Sequence, residues 1–118
     1  MPNVIFFEIC VDDVERAAMF YGKVFDWRIA NGDDPSYRLI DTGENEVGGA
    51  LMARLEESDS TINTIDVPSV DSVAKKIAVA GGKVLAPKIA IEGVGYVQYC
   101  QDTDGNSFAI MEYDESAS

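Results

Sequence analysis

The stretch Val11-Asp12-Asp13-Val14-Glu15-Arg16-Ala17-Ala18-Met19-Phe20-Tyr21-Gly22-Lys23-Val24-Phe25 has a counterpart in Val67-Pro68-Ser69-Val70-Asp71-Ser72-Val73-Ala74-Lys75-Lys76-Ile77-Ala78-Val79-Ala80. In the first, Val14, Ala17, Ala18, Tyr21, Val24 and Phe25 recur at helical spacing, so one face of a helix is apolar. In the second, Val70, Val73, Ala74, Ile77 and Ala80 repeat the first five of those positions, each 56 residues on. Asp12 or Asp13 supplies a cap for the first helix, and Glu15 suits the positive end of its dipole. Gly81-Gly82 supplies the stop for the second.

Outward from each helix the same order of elements is expected. A strand over Val4–Val11 precedes the first helix, and strands over Trp27–Ala30, Tyr37–Thr42 and Val47–Arg54 follow it, separated by turns at 32–35 and 43–46. A strand over Ile62–Val67 precedes the second helix, and strands over Lys83–Ile89, Tyr96–Gln101 and Ser107–Tyr113 follow, with Asp104-Gly105 as a hairpin turn. The last two strands of each set align at an offset of 59, placing Tyr37 on Tyr96 and Gly49-Ala50-Leu51-Met52 on Phe108-Ala109-Ile110-Met111. The expectation is an α+β fold: one domain over 1–118 made of two tandem βαβββ modules, about 3–55 and 61–113, whose curved sheets form a shared cavity.

The charge restricts partners. Nine basic residues stand against 21 acidic ones, for a net −12. Such a field repels phosphate backbones and anionic lipid, so neither nucleic acid nor a membrane surface is an expected partner. The opening Met1-Pro2-Asn3-Val4-Ile5-Phe6-Phe7-Glu8 has no basic region ahead of its apolar residues and reads as a strand rather than a signal peptide, so a cytoplasmic location is expected. Cys10 and Cys100 lie in apolar, strand-like surroundings and read as reduced, buried thiols, with a bridge between them as the alternative. The polar tail 114–118 is expected to fray.

Phe7-Glu8-Ile9-Cys10-Val11-Asp12-Asp13-Val14-Glu15-Arg16-Ala17 with Phe20-Tyr21, Gly81-Gly82-Lys83-Val84, and Asp102-Thr103-Asp104-Gly105-Asn106-Ser107-Phe108 together resemble the glyoxalase/bleomycin-resistance/extradiol-dioxygenase superfamily, the vicinal oxygen chelate proteins. The resemblance spans nearly the whole chain. It implies metal ligands on the first and last strand of each module. The positions that would carry them here are Phe6 and Ile62 on the first strands, Ala50 and Ala109 on the last. All four side chains are hydrocarbon, and the chain contains no histidine. Zinc, iron and nickel need nitrogen, sulfur or carboxylate donors, so no metal cofactor is expected there, and metal-dependent glyoxalase or dioxygenase activity is disfavoured.

Strand side chains alternate, so residues two removed from those positions share their face. Glu8 and Cys10 then stand beside Phe6, Gly48 and Met52 beside Ala50, Thr64 and Asp66 beside Ile62, and Ser107 and Met111 beside Ala109. These eight, with the four ligand positions, are the expected cavity lining. Glu8, mid-strand between apolar neighbours, is the expected general acid or base if there is one; the alternative is a structural role, bonded to a neighbouring strand or to Arg38 or Arg28. Trp27 is expected in the core. The resemblance implies a homodimer that sequesters a small, partly apolar organic molecule. The alternatives are a metal-independent isomerase or lyase using Glu8, and a metal enzyme with displaced ligands.

Overall fold

The computed structural model describes residues 1–118. Two helices and nine strands divide between two units, one Phe6–Ile62 and the other Met1–Ile5 with Asn63–Ser118. The first residues of the chain therefore belong with its second half, where the Asn3 carbonyl accepts the Asp66 N–H at 3.0 Å.

In the first unit the order is β1 (Val4–Val11, its first two residues lying in the other unit), α1 (Val14–Phe25), β2 (Arg28–Ile29), β3 (Tyr37–Asp41) and β4 (Gly48–Ala53). In space the strands run β2-β3-β4-β1, with β1 parallel to β4 and the other neighbours antiparallel. Asp13, not Asp12, caps α1: its carboxylate accepts the Arg16 N–H at 3.0 Å. Glu15 and Lys23 lie at the ends that favour their charges. Asp26 ends the helix in the left-handed conformation, φ 59°.

Alternation along the strands decides what α1 packs against. Phe7, Ile9 and Val11 of β1, Leu51 and Ala53 of β4, and Ile40 of β3 join Val14 and Ala18 in one core cluster, which also takes in Trp27 as expected. Trp27 stacks on Tyr21 with ring centroids 5.5 Å apart. Gly49 shares this face, and only glycine fits: a Cβ there would lie 2.3 Å from the Phe7 carbonyl oxygen and 2.7 Å from its ring. The close approach of β4 to Phe7 depends on the missing side chain.

The second unit repeats the plan with β5 (Thr61–Asp66, its first two residues lying in the other unit), α2 (Val70–Val79), β6 (Lys83–Val84), β7 (Ile89–Ile91), β8 (Gly95–Gln101) and β9 (Ser107–Tyr113). β5 is parallel to β9, and β8 is antiparallel to β9, β6 and β7. Ser69 caps α2 by accepting the Ser72 N–H at 3.1 Å, and Glu112 on β9 accepts the Val70 N–H at 2.9 Å. Gly81, at φ 99°, carries the chain past the helix end. Val67, Val70, Cys100 and Ile110 form the core of this unit.

Three expectations are corrected. The strand expected over Lys83–Ile89 is two strands, because Pro87 can neither donate to the ladder nor leave the residue before it free in conformation. The offset of 59 holds from β4 to β9 but not from β3 to β8. Tyr37 lies opposite Met52 and Val97 opposite Met111, so Tyr37 corresponds to Val97 rather than Tyr96. The loop joining β3 to β4 is one residue longer than that joining β8 to β9, and one residue reverses the face. The tail does not fray: Ala117 is buried, its carbonyl accepts the Gly93 N–H at 3.0 Å, and Asp114 binds the Val94 carbonyl through its own N–H at 2.8 Å.

Candidate functional site

The face of the first unit turned away from α1 carries the side chains of even-numbered residues on β1 and β4 and odd-numbered ones on β3. Register sets them in rows. Glu8 is opposite Ala50, which is opposite Leu39; Cys10 is opposite Met52, which is opposite Tyr37; and Phe6 is opposite Gly48. Small residues on β4 leave a trough between the larger side chains of β1 and β3. Over Gly48 it opens into a cleft of about 500 Å³ lined by Phe6, Leu39, Arg28, Asp41 and Glu46 among others. Arg28 and Asp41 are cross-strand partners at its rim. The ion pairs of the chain join Arg38 to Glu15, Arg54 to Asp12 and Lys88 to Asp71, leaving the Arg28 guanidinium outside all of them.

Toward Ala50 the trough is closed. Ala50 is 0% exposed and Glu8 4%. The Tyr37 hydroxyl donates to Glu8 Oε2, joining β3 to β1 across the intervening β4. Neither arginine named as a structural partner for Glu8 takes that role. Arg38 is committed to the Ala30 carbonyl at 2.7 Å, to Asn31 Oδ1 at 2.5 Å and to Glu15. Cys10 is buried on the same face, and burial, with Asp59 and Glu8 nearby adding negative charge, pushes its thiol above the usual range. Both cysteines are free thiols.

In the second unit the corresponding face holds Thr64 opposite Ala109, which is opposite Tyr99, and Asp66 opposite Met111, which is opposite Val97. Thr64 and Ala109 are buried, Asp66 and Met111 half-buried, and Ser107 exposed at the strand start. Ile62 is buried in β5. Gln98, Cys100 and Tyr96 alternate onto the α2 side, where the Gln98 amide donates to the Ala86 carbonyl at 2.9 Å. Sequence reasoning missed Tyr37 as a partner of Glu8. The signal was the loop length, which sets its face.

At the four places where the family resemblance would put metal ligands stand Phe6, Ile62, Ala50 and Ala109, none with a donor atom. Nor does any group of three or more aspartates, glutamates and cysteines gather elsewhere. The side chains present do not fit a metal ion in those places. What the first unit offers instead is an apolar cleft with charged residues at its rim and a buried carboxyl–phenol pair behind it. No helix is long and apolar enough to cross a membrane.

Residues 3–43 match the family described as bleomycin resistance protein-like N-terminal. A glyoxylase-like domain-containing protein of Didymella fabae is 30% identical over 112 residues, covering 87% of this chain and 88% of its own length. Among solved structures, a glyoxalase/bleomycin resistance protein/dioxygenase superfamily member from Vibrio splendidus 12B01 superposes with a TM-score of 0.69 at 14% identity, over 95% of this chain and 99% of that one. The Mn(II)-bound glyoxalase from Novosphingobium aromaticivorans gives 0.70 at 21% identity, over 100% of this chain and 42% of that one. At such identities the two structures speak for the fold. The Didymella protein, similar over most of both chains, speaks for more: the chain belongs to the glyoxalase/bleomycin-resistance superfamily.

Proposed function

We propose that this chain is a metal-independent binding protein for a small, partly apolar organic molecule, held over Gly48 in the first unit. The observation that carries this reading is the cleft of about 500 Å³, walled by Phe6 and Leu39, on the very sheet face where hydrocarbon side chains stand in the ligand positions. Its volume lies within the range of small-molecule sites, and an apolar wall with a few charged groups at the rim is the usual composition of one. The chain's net charge of −12 favours the approach of neutral and cationic molecules over anions. The reading extends to a cytoplasmic homodimer, the assembly to be checked by light scattering.

The test is elemental analysis of freshly purified protein together with thermal-shift screening of metals and of small apolar amines, alcohols and acids. Sub-stoichiometric metal, with a midpoint raised by an organic compound and by no metal, is the expected result. Near-stoichiometric zinc, nickel, iron or manganese would overturn it and favour a metal enzyme with displaced ligands.

A second reading, a metal-independent isomerase or lyase, draws on one observation: Glu8 is buried and receives the Tyr37 hydroxyl, a pairing suited to proton transfer. It requires a substrate that displaces Tyr37 to reach the carboxyl group. Glu8→Gln would then abolish turnover while leaving binding intact. Loss of neither, or of both together, sinks the catalytic reading.

A further inference from the structure

Three strands have a single neighbour, β2 in the first unit and β6 and β7 in the second, so each presents one edge without a sheet partner. Sheets ordinarily guard such edges with charge or by keeping them very short. β2 and β6 are two residues long, and each carries a cation, Arg28 and Lys83. β7 is different. Ile89, Ala90 and Ile91 are all apolar and all exposed, the two isoleucines at 46% and 40%. The Ile91 carbonyl turns inward, accepting the Val94 N–H at 2.9 Å. Backbone groups alternate along a strand, so the N–H and C=O of Ala90 point away from β8.

The residues flanking β7 carry opposite charges, Lys88 before it and Glu92 after it. Laid antiparallel on a second copy of itself about Ala90, the stretch 88–92 sets Ala90 opposite Ala90, Ile89 opposite Ile91, and Lys88 opposite Glu92 at both ends. Glu92 joins none of the chain's ion pairs, and Lys88, with three N–H donors, gives one to Asp71 at 3.1 Å. Elsewhere two chains of net charge −12 repel each other, whereas 88–92 is neutral in sum. Pairing there forms backbone bonds, brings four isoleucines to one face and joins opposite charges. A strand of different sequence would match only part of this.

We infer that β7 is the interface of a homodimer, joining two copies of this chain edge to edge in the antiparallel register that sets Lys88 against Glu92. The inference rests on the homodimer reading above, gives it a surface, and holds whichever molecule the cleft takes.

Sedimentation equilibrium tests it on wild type, Ala90→Pro, Lys88→Glu, Glu92→Lys and an equimolar mixture of the last two, each checked for fold by circular dichroism. Wild type is expected to dimerise. Ala90→Pro, which removes an N–H from the outer edge, is expected to be monomeric where wild type is dimeric. Each charge reversal sets like charges against each other at both ends of its homodimer and is expected to weaken it at least about tenfold. In the mixture one chain carries two acids in the stretch and the other two bases, so opposite charges face again at both ends. The mixed dimer is expected to regain wild-type affinity to within about threefold. A monomeric wild type overturns this inference and the homodimer reading together. A wild-type dimer that Ala90→Pro leaves intact, that the reversals do not weaken, or that mixing does not restore overturns the inference and leaves the homodimer reading standing. Should Ala90→Pro unfold, the reversals and their mixture decide.

Discussion

Replacing Tyr37 by phenylalanine removes one oxygen atom and leaves the ring that packs over β4. Its hydroxyl donates to Glu8, whose residue exposure is 4%, so water is poorly placed to take over the lost bond. A hydrogen bond to a charged group contributes about 1.5–3 kcal/mol and a neutral one about 1 kcal/mol. The expected loss is about 2 kcal/mol of unfolding free energy, which for a chain of this size lowers the thermal midpoint by about 8 °C. Urea unfolding followed by tryptophan fluorescence reads it directly, since Trp27 sits in the core cluster of the same unit. A change below about 0.5 kcal/mol with an unchanged slope would mean that the bond contributes little, and would refute the reasoning that it helps hold β3 to β1.

Three further outcomes follow from particular contacts. Gly49→Ala is expected to cost about 1–3 kcal/mol by calorimetry, because the added methyl meets the Phe7 backbone oxygen as well as the Phe7 ring, and the backbone cannot swing aside as a side chain can; a neutral effect would contradict the close approach. Burial holds both the Cys10 and Cys100 thiols above their usual range, so neither is expected to react with an aromatic disulfide reagent at pH 8 until the chain is unfolded, whereupon both should; native labelling of either would contradict the packing. The Asp102 carboxylate is held below its usual value of 3.8 by the Asn106 N–H and side-chain amide and by the Asp104 N–H. A depressed carboxylate contributes stability above its unfolded pKa and loses it as the pH falls through the folded one, so acid weakening below about pH 4 should be smaller in Asp102→Asn than in the wild type. Equal weakening would remove that turn from the acid response.

The parts legible in the sequence were those fixed by short-range chemistry. The spacing of Val14, Ala17, Ala18 and Tyr21 dictates which face of α1 turns inward, and Val70, Val73, Ala74 and Ile77 do the same for α2. Alternation within β1 separates Phe7, Ile9 and Val11 from Phe6, Glu8 and Cys10 without any knowledge of the sheet. The parts not legible depended on length and on distant partners. One extra loop residue between β3 and β4 moved Tyr37 to the face of Glu8, and a count of matched residues in the two halves could not reveal it. Polar residues 114–118 look unattached by composition, yet Asp114 and Ala117 bind the turn at 93–94 through their backbones, which carry no sequence signal. The cleft over Gly48 requires knowing that β4 lies between β1 and β3, and no local pattern states that order.

The central claim is that this chain keeps the superfamily's fold while holding an organic ligand without a metal. Metal content per chain, measured on protein purified without chelators and again after incubation with zinc, nickel and manganese followed by gel filtration, tests it most directly. Sub-stoichiometric metal before and after, with the wild-type thermal midpoint unmoved by any of the three ions, is the expected result. One metal ion retained per chain, with a raised midpoint, would contradict it, because Phe6, Ala50, Ile62 and Ala109 offer that ion no donor atom.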